Sequence, residues 1–182
     1  MERLKKEYDL GIRWKAFPLH PNTPAEGLPL EQLFKGHNKD IGMMLARLKQ
    51  VARQEDLPFG DRTHTYNSRL AQELGKWAED REKGDLFHDA AFKAYFVHGK
   101  NIAQIPVLVE LAESIGLDGD EARNMLETRT FMNDVDEDWA LSRSLGITAV
   151  PTFYLSGQHL VGAQPYEMME QFLIQHSVKR KA

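Results

Sequence analysis

The sequence contains no cysteine in its 182 residues. This absence excludes structural disulfides, thiolate metal sites and a cysteine nucleophile within the chain. The sequence also lacks a run of the roughly 18–20 apolar residues that a membrane-spanning helix needs. Its first residues, MERLKKEYDL, carry charge but no apolar signal-peptide core. We therefore expect no membrane partner and a cytoplasmic location.

An excess of positive charge is absent as well. The chain has 23 basic and 27 acidic residues, for a net charge of -4. Such a balance gives no field that attracts phosphate backbones, so we expect no nucleic-acid partner. With 42% hydrophobic residues, the chain has enough apolar material for one globular core.

The strand signals lie near the two ends of the chain. Glu2–Tyr8 has the spacing of the end of an amphipathic helix, and the alternation over Ile12–Phe17 predicts a strand with one buried face. Thr152–Leu155 and Gln158–Val161 flank a Ser-Gly turn and predict a hairpin. A final helix is predicted over Pro165–His176.

Helical spacing dominates the middle of the chain. Asn67, at the start of one predicted helix, can cap its first N–H groups, and Asp118 or Asp120 can cap another. Gly99 and Gly116 suit left-handed C-terminal caps. The helices predicted in this block are Leu30–Gln50, Asn67–Lys83, Leu86–His98, Gln104–Ser114, Gly119–Glu127 and Asp134–Leu145.

Ala149-Val150-Pro151 is the first candidate site. Proline cannot donate a hydrogen bond to a sheet, so Pro151 belongs at the start or the edge of the strand that follows. A cis Val150–Pro151 bond would present the N–H and C=O of Val150 to an extended peptide. The alternative is a trans proline that only begins an edge strand.

Gly162-Ala163-Gln164 is the second candidate site, because it leads from the hairpin into the last helix. Pro165 suits the first helical position. Free N–H groups at this helix start could receive a carboxylate from a peptide or from glutathione. The alternative is that Gln164 caps the helix and binds nothing.

Metal binding is not expected. The histidines lack the short spacings of a metal site, and Asp134–Asp138 resembles a calcium loop without its glycine and final glutamate. The histidines considered were His20, His37, His64, His88 and His98.

Taken with the strand at Ile12–Phe17 and its proline-rich loop, the two candidate sites resemble the FrnE-like branch of the DsbA family. That family includes 2-hydroxychromene-2-carboxylate isomerases and kappa-class glutathione transferases. The resemblance covers essentially the whole chain. Further matching segments are Arg62–Ala71, Ala94–Gly99 and Gly162–Tyr166.

The resemblance implies an α/β thioredoxin-like fold with an inserted all-helical domain. Residues 1–29 and 131–182 would form the thioredoxin-like domain, and residues 30–130 would form the insertion. It also implies that Val150–Pro151 is cis and that Ala149, Val150, Pro151, Gly162, Ala163 and Gln164 bind the substrate.

The chain departs from the family at its N-terminus, where a first strand and a Cys-Pro-Trp-Cys-like motif are absent. Thiol–disulfide exchange requires a thiolate, so we predict a truncated or redox-inactive relative of thiol–disulfide oxidoreductases. The alternatives are a non-catalytic module that binds peptides or thiol metabolites, and a glutathione-dependent isomerase or transferase. No cofactor is expected, although glutathione fits the family.

The absent strand leaves two open sheet edges, on Ile12–Phe17 and on Thr152–Leu155. Because unpaired edges recruit strands, we expect the two edges to close on each other or to be completed by another segment, for example in a homodimer.

Overall fold

The computed structural model describes residues 1–35 and 40–181. The helices are α1 (Glu2–Glu7), α2 (Leu30–Leu33), α3 (Ile41–Gln54), α4 (Arg69–Glu79), α5 (Gly84–Phe92), α6 (Ile105–Ser114), α7 (Gly119–Thr128), α8 (Met132–Ser144) and α9 (Tyr166–Gln175). The strands are β1 (Leu28–Pro29), β2 (His64–Thr65), β3 (Thr152–Leu155) and β4 (Gln158–Val161).

The helical middle of the chain agrees with the sequence pattern in most places. The helix predicted over Leu30–Gln50 is represented by α2 and α3, and residues 36–39 of that range lie outside the described residues. Asp118 accepts a hydrogen bond from the N–H of Glu121 at 2.9 Å, so Asp118 rather than Asp120 caps α7. Gly116 has a φ of +78°, which a residue without a Cβ adopts at little cost.

The predicted hairpin is present with the predicted bounds. β3 and β4 pair antiparallel, with Phe153 opposite Leu160 and Leu155 opposite Gln158. Ser156 and Gly157 both have positive φ, at 48° and 84°, which matches a two-residue type I′ turn. The turn is therefore encoded locally, and the turn sets the register of the pair.

The prediction of a strand over Ile12–Phe17 is wrong. Within the described residues this segment pairs with no strand, and β3 pairs only with β4. The N–H of Ala16 instead donates to Oδ2 of Asp138 at 3.0 Å, and Nζ of Lys15 donates to Oδ1 at 2.7 Å. Alternation identifies a segment that suits a strand, but a ladder also needs a partner with free N–H and C=O groups. The two edges have not closed on each other.

The chain divides into two compact units with separate cores. One unit comprises Met1–Leu19 and Glu137–Ala182, and the other comprises His20–Asp136. These bounds differ from those of the predicted domains, since residues 20–29 and 131–136 belong to the helical unit. A helical insertion domain with the bounds 30–130 stays a prediction.

The helical unit has the larger core, which α4, α5, α6 and α7 share. Leu74, Leu108 and Leu126 are almost completely buried there. The other unit packs Leu4 and Tyr8 against Met169, with Phe153 and Leu160 of the hairpin at its margin. Hence the hairpin has one face toward a core. Within residues 1–35 and 40–181, no helix combines the length and the apolar character that crossing a membrane demands.

Candidate functional site

The first candidate segment lies at the exposed start of β3. The Val150–Pro151 bond is cis, the isomer that the family resemblance implies. The carbonyl of Ala149 accepts a hydrogen bond from Oγ1 of Thr152 at 2.6 Å. Val150 is 44% exposed, and within the described residues neither its N–H nor its C=O has a hydrogen-bond partner. The structure therefore leaves the main-chain donor and the main-chain acceptor of Val150 unpaired within the described residues.

The second candidate segment meets the first. The N–H of Gly162 donates to the carbonyl of Pro151 at 2.8 Å, and Gly162 has a φ of +89°. Ala163, the next residue, is exposed. Five of the six predicted site residues therefore form two adjoining turns, at the start of β3 and at the end of β4. The sixth, Gln164, bonds back to β4.

Gln164 does not cap the last helix, contrary to the alternative considered from the sequence. Its Nε2 donates to the carbonyl of Val161 at 2.7 Å, so the side chain closes the turn after β4. Pro165 is the N-cap residue of α9 and makes no side-chain capping bond. The first N–H groups of α9, on Tyr166 and Glu167, have no hydrogen-bond partner within the described residues.

The ionisable groups beside α9 form one network with α1 and the C-terminal residues. The hydroxyl of Tyr166 donates to Glu7 at 2.7 Å, and Arg3 and Arg180 also donate to that carboxylate. These hydrogen bonds, that of Tyr166 first, lower the pKa of Glu7 to about 2. The same bond raises the pKa of Tyr166 to about 12. The network keeps Glu7 ionised and Tyr166 protonated at neutral pH, so neither group suits proton transfer.

Two buried carboxylates were not predicted from the sequence. Asp138 is 3% exposed and binds the Lys15–Ala16 segment, and Glu73 in the helical unit is fully buried. Glu73 accepts bonds from Arg69 at 2.7 Å and from Arg129 at 2.7 and 2.6 Å. These bonds with Glu73 raise the pKa of Arg129 above its ordinary value. The sequence contained one indication that Glu73 is buried, because it lies at a position on the apolar face of α4.

A cavity of about 260 Å³ lies beside this ion cluster, lined by Ala25, Asn67, Arg69, Leu70, Ala103 and Arg129. Arg69 also binds Asp136 at 2.7 Å, so the two arginines face two carboxylates. The charges of the cavity wall are thus balanced within the chain. Among the described residues no three His, Asp or Glu side chains form a metal-binding group, and His37 lies outside those residues.

Comparison with known families gives the context for this geometry. A family model described as the DSBA-like thioredoxin domain matches residues 1–174. The chain belongs to this family. The predicted α/β thioredoxin-like fold with a helical insertion is thereby confirmed.

Individual DSBA-like relatives are similar over most of their length. The chain is 29% identical to the uncharacterized protein YwbO of Bacillus subtilis, over 98% of this chain and 88% of YwbO. A probable DsbA oxidoreductase from Streptomyces coelicolor superposes with a TM-score of 0.80 at 26% identity, over 90% of this chain and 74% of that one. A 2-hydroxychromene-2-carboxylate isomerase superposes with a TM-score of 0.74 at 17% identity, over 96% and 85%. The isomerase therefore shares the fold.

Proposed function

We propose that this DSBA-like chain binds extended polypeptide segments through main-chain hydrogen bonds at Val150, and that it performs no thiol–disulfide exchange by itself. The supporting observation is that Val150 is exposed and that its N–H and its C=O are both unpaired within the described residues. An extended ligand supplies a complementary donor and acceptor at every second residue. Binding of this kind tolerates many ligand side chains.

The neighbouring residues have supporting roles in this proposal. The Thr152 hydroxyl holds the carbonyl of Ala149, and the carbonyl of Pro151 holds Gly162. Both bonds fix the backbone on either side of Val150, so little conformational entropy is lost when a ligand binds. Gln164 acts through its bond to Val161, which orders the turn beside the ligand.

The proposal includes no redox chemistry, because these residues lack the thiol that such chemistry needs. The chain contains no cysteine, and thiol–disulfide exchange proceeds through a thiolate that attacks a disulfide sulfur. In this proposal these 182 residues share the fold of the oxidoreductase relatives and supply no thiol for their chemistry. The genomic sequence upstream of Met1 shows directly whether a strand with a Cys-x-x-Cys motif is encoded there. The cytoplasmic location of the protein stays a prediction.

The purified chain is expected to leave the disulfides of insulin intact. With dithiothreitol as reductant, the turbidity of precipitating insulin chains should rise at the rate of the protein-free control, because no thiolate relays electrons. A cysteine-containing thioredoxin is the positive control. A rate above background that scales with protein concentration would refute this part of the proposal.

Peptide binding is expected to weaken when the ligand loses one main-chain donor. An acetyl-capped hexapeptide of alternating valine and threonine is titrated by NMR, beside analogues in which one amide is replaced by an ester. The ester that faces the carbonyl of Val150 should bind about fivefold more weakly, the effect of one hydrogen bond of about 1 kcal/mol. Equal affinity of every ester, or no shift of the Val150 amide, contradicts the proposal.

Glutathione is a second candidate ligand, favoured by the uncapped start of α9. The N–H groups of Tyr166 and Glu167 lack partners within the described residues, and the positive end of a helix dipole favours a carboxylate. Titration with glutathione under the same conditions should shift these two amides. If they do not respond, the peptide remains the ligand.

A further inference from the structure

One half-buried arginine of the helical unit has no carboxylate partner. The half-buried arginines of the described residues are Arg62, Arg69 and Arg129. The last two share the carboxylate of Glu73, whereas Arg62 forms no ion pair within the described ranges. Its neighbour Asp61 pairs with Lys49 instead. Removing water from a charge costs free energy unless an opposite charge compensates. An anion of a partner therefore meets at Arg62 a cation that has already lost part of its hydration.

Arg62 lies against a group of four rings, which we call the aromatic platform: Phe59, Phe92, Tyr95 and Phe96. The guanidinium carbon is 4.8 Å from the ring centroid of Tyr95 and 5.3 Å from that of Phe96. Phe96 is central, since the centroids of the other three rings lie between 4.8 and 6.2 Å from its own. Phe92 is 49% exposed, and the other rings are half-buried. The aromatic platform is therefore an apolar surface open to water, with a cation beside it.

The backbone holds the aromatic platform and Arg62 together. A π-helical turn over Lys93–Val97 carries two of the rings. The N–H of Gly60 donates to the carbonyl of Phe96 at 2.9 Å. A Cβ at Gly60 would lie 2.0 Å from the carbonyl oxygen of Val97, so this approach requires glycine. Because the loop is fixed at Gly60, Arg62 is held two residues later beside the rings.

The guanidinium of Arg62 keeps donors for a ligand. Its Nη1 donates to the hydroxyl of Tyr95, which in turn donates to Oγ1 of Thr65 at 3.1 Å. Its Nε is buried without a partner, and Nη2 has no partner but is accessible, within the part of the chain that is described. The bond to Tyr95 fixes the plane of the guanidinium. The edge formed by Nη1 and Nη2 can therefore donate to both oxygens of one carboxylate.

From these contacts we propose that Arg62 and the aromatic platform form a docking site for a polypeptide segment in which an aromatic residue follows a glutamate. The glutamate accepts hydrogen bonds from the Nη1 and Nη2 edge of Arg62, and the aromatic side chain packs on Phe92 and Phe96. Shielding from water by the packed ring strengthens the charged hydrogen bonds beside it.

Charge and shape favour this occupant. The cation of Arg62 is uncompensated, whereas the neighbouring Lys93 is paired with Asp89 at 2.7 Å, so the site carries one net positive charge. A small free acid fits less well, because small-molecule sites are concave and bury most of their ligand. The exposed ring of Phe92 instead suits a partner that covers it with its own side chains.

Two peptides that differ only in charge test the proposal. Acetyl-Gly-Glu-Phe-Gly-amide and its analogue with glutamine in place of glutamate are titrated into the full chain by NMR. The Nε–H of Arg62 and the amide of Phe96 are the reporters. The glutamate peptide should bind about tenfold more tightly, the effect of one hydrogen bond to a charged group.

Variants at Arg62 assign this preference to its guanidinium. Arg62→Met keeps an apolar contact with the rings but removes the charge, so it should bind both peptides equally. Arg62→Lys keeps the charge without the planar fork and should show a reduced preference. Arg123→Met is the matched control, because Arg123 is exposed on α7 and forms no ion pair within the described residues. It should keep the tenfold preference, and circular dichroism verifies folding of each variant.

Three results of the titration overturn the proposal: no binding of the glutamate peptide, equal binding of both peptides, or a preference that survives Arg62→Met. Phenylacetate that binds as tightly as the peptide would show a site for free acids and also overturns it. So would Arg62 shifts that follow protein concentration alone, since a second copy would then be the occupant. The inference is independent of the ligand proposed at Val150, which lies in the other unit and whose amide reports its own site.

Discussion

Replacing Glu73 with alanine is expected to lower the free energy of unfolding by about 3 kcal/mol. Glu73 is fully buried and accepts hydrogen bonds from Arg69 and Arg129, and truncation leaves two guanidinium groups facing each other without their shared anion. Breaking a buried ion pair costs about 3–5 kcal/mol. We expect the lower end because the Arg129 side chain is 40% exposed and can regain water. Urea denaturation followed by circular dichroism measures the change.

The control for this measurement is Glu127→Ala, on the exposed face of α7 in the same helical unit. An exposed substitution without partners should stay within about 0.5 kcal/mol of the wild type. Glu73→Gln should fall between the two, because its amide oxygen still accepts from the arginines but carries no charge. If Glu73→Ala and Glu127→Ala unfold at the same urea concentration, the ion cluster contributes nothing to stability.

Replacing Asp138 with alanine is expected to lower the free energy of unfolding by about 2 kcal/mol and to release the Lys15–Ala16 segment. Asp138 is 3% exposed and accepts from the backbone of Ala16 and from Nζ of Lys15. A hydrogen bond to a charged group contributes about 1.5–3 kcal/mol. The Lys15 side chain is 49% exposed and rehydrates, so the backbone bond dominates the loss.

Hydrogen exchange at single residues distinguishes this release from general destabilisation. The amide of Ala16 should exchange faster in Asp138→Ala, whereas amides in the core of α6 should change only with global stability. Glu137→Ala, its exposed neighbour on α8, should leave Ala16 as in the wild type. Unchanged exchange at Ala16 in Asp138→Ala would show that the carboxylate does not hold this segment.

Local chemistry explains where the sequence interpretation succeeded. The hairpin over β3 and β4 was predicted with its observed bounds because Ser156 and Gly157 determine the turn and the alternation determines the buried face. The start of α7 was predicted because two aspartates, Asp118 and Asp120, lie where a helix cap is expected, and Asp118 accepts from the N–H of Glu121. Each of these features depends on residues that are neighbours along the chain.

Non-local pairing explains where it failed. The two-residue ladder between β1 and β2 joins Leu28 with Thr65, and in neither segment is the alternation of polar and apolar residues long enough to predict a strand.

A π-helical turn over Lys93–Val97 follows α5, where the sequence pattern predicted uninterrupted α-helix. The hydrogen bonds of a π-helix span five residues in place of four, and a segment of five residues is too short for the hydrophobic pattern to show this difference.

The sequence by itself determined that these 182 residues contain no cysteine, that the middle of the chain is helical, that a hairpin follows it, and that the chain belongs to the family which the turns around Pro151 and Gln164 indicate. Composition and short-range turn chemistry carry that information. Only the tertiary structure decided that the Ala16 N–H donates a hydrogen bond to Asp138. It also decided that, within the described residues, β3 pairs with β4 and with no strand on its other side. A segment that suits a strand becomes one only where another backbone offers unpaired donors and acceptors at the right distance, and that depends on contacts between residues far apart in the chain.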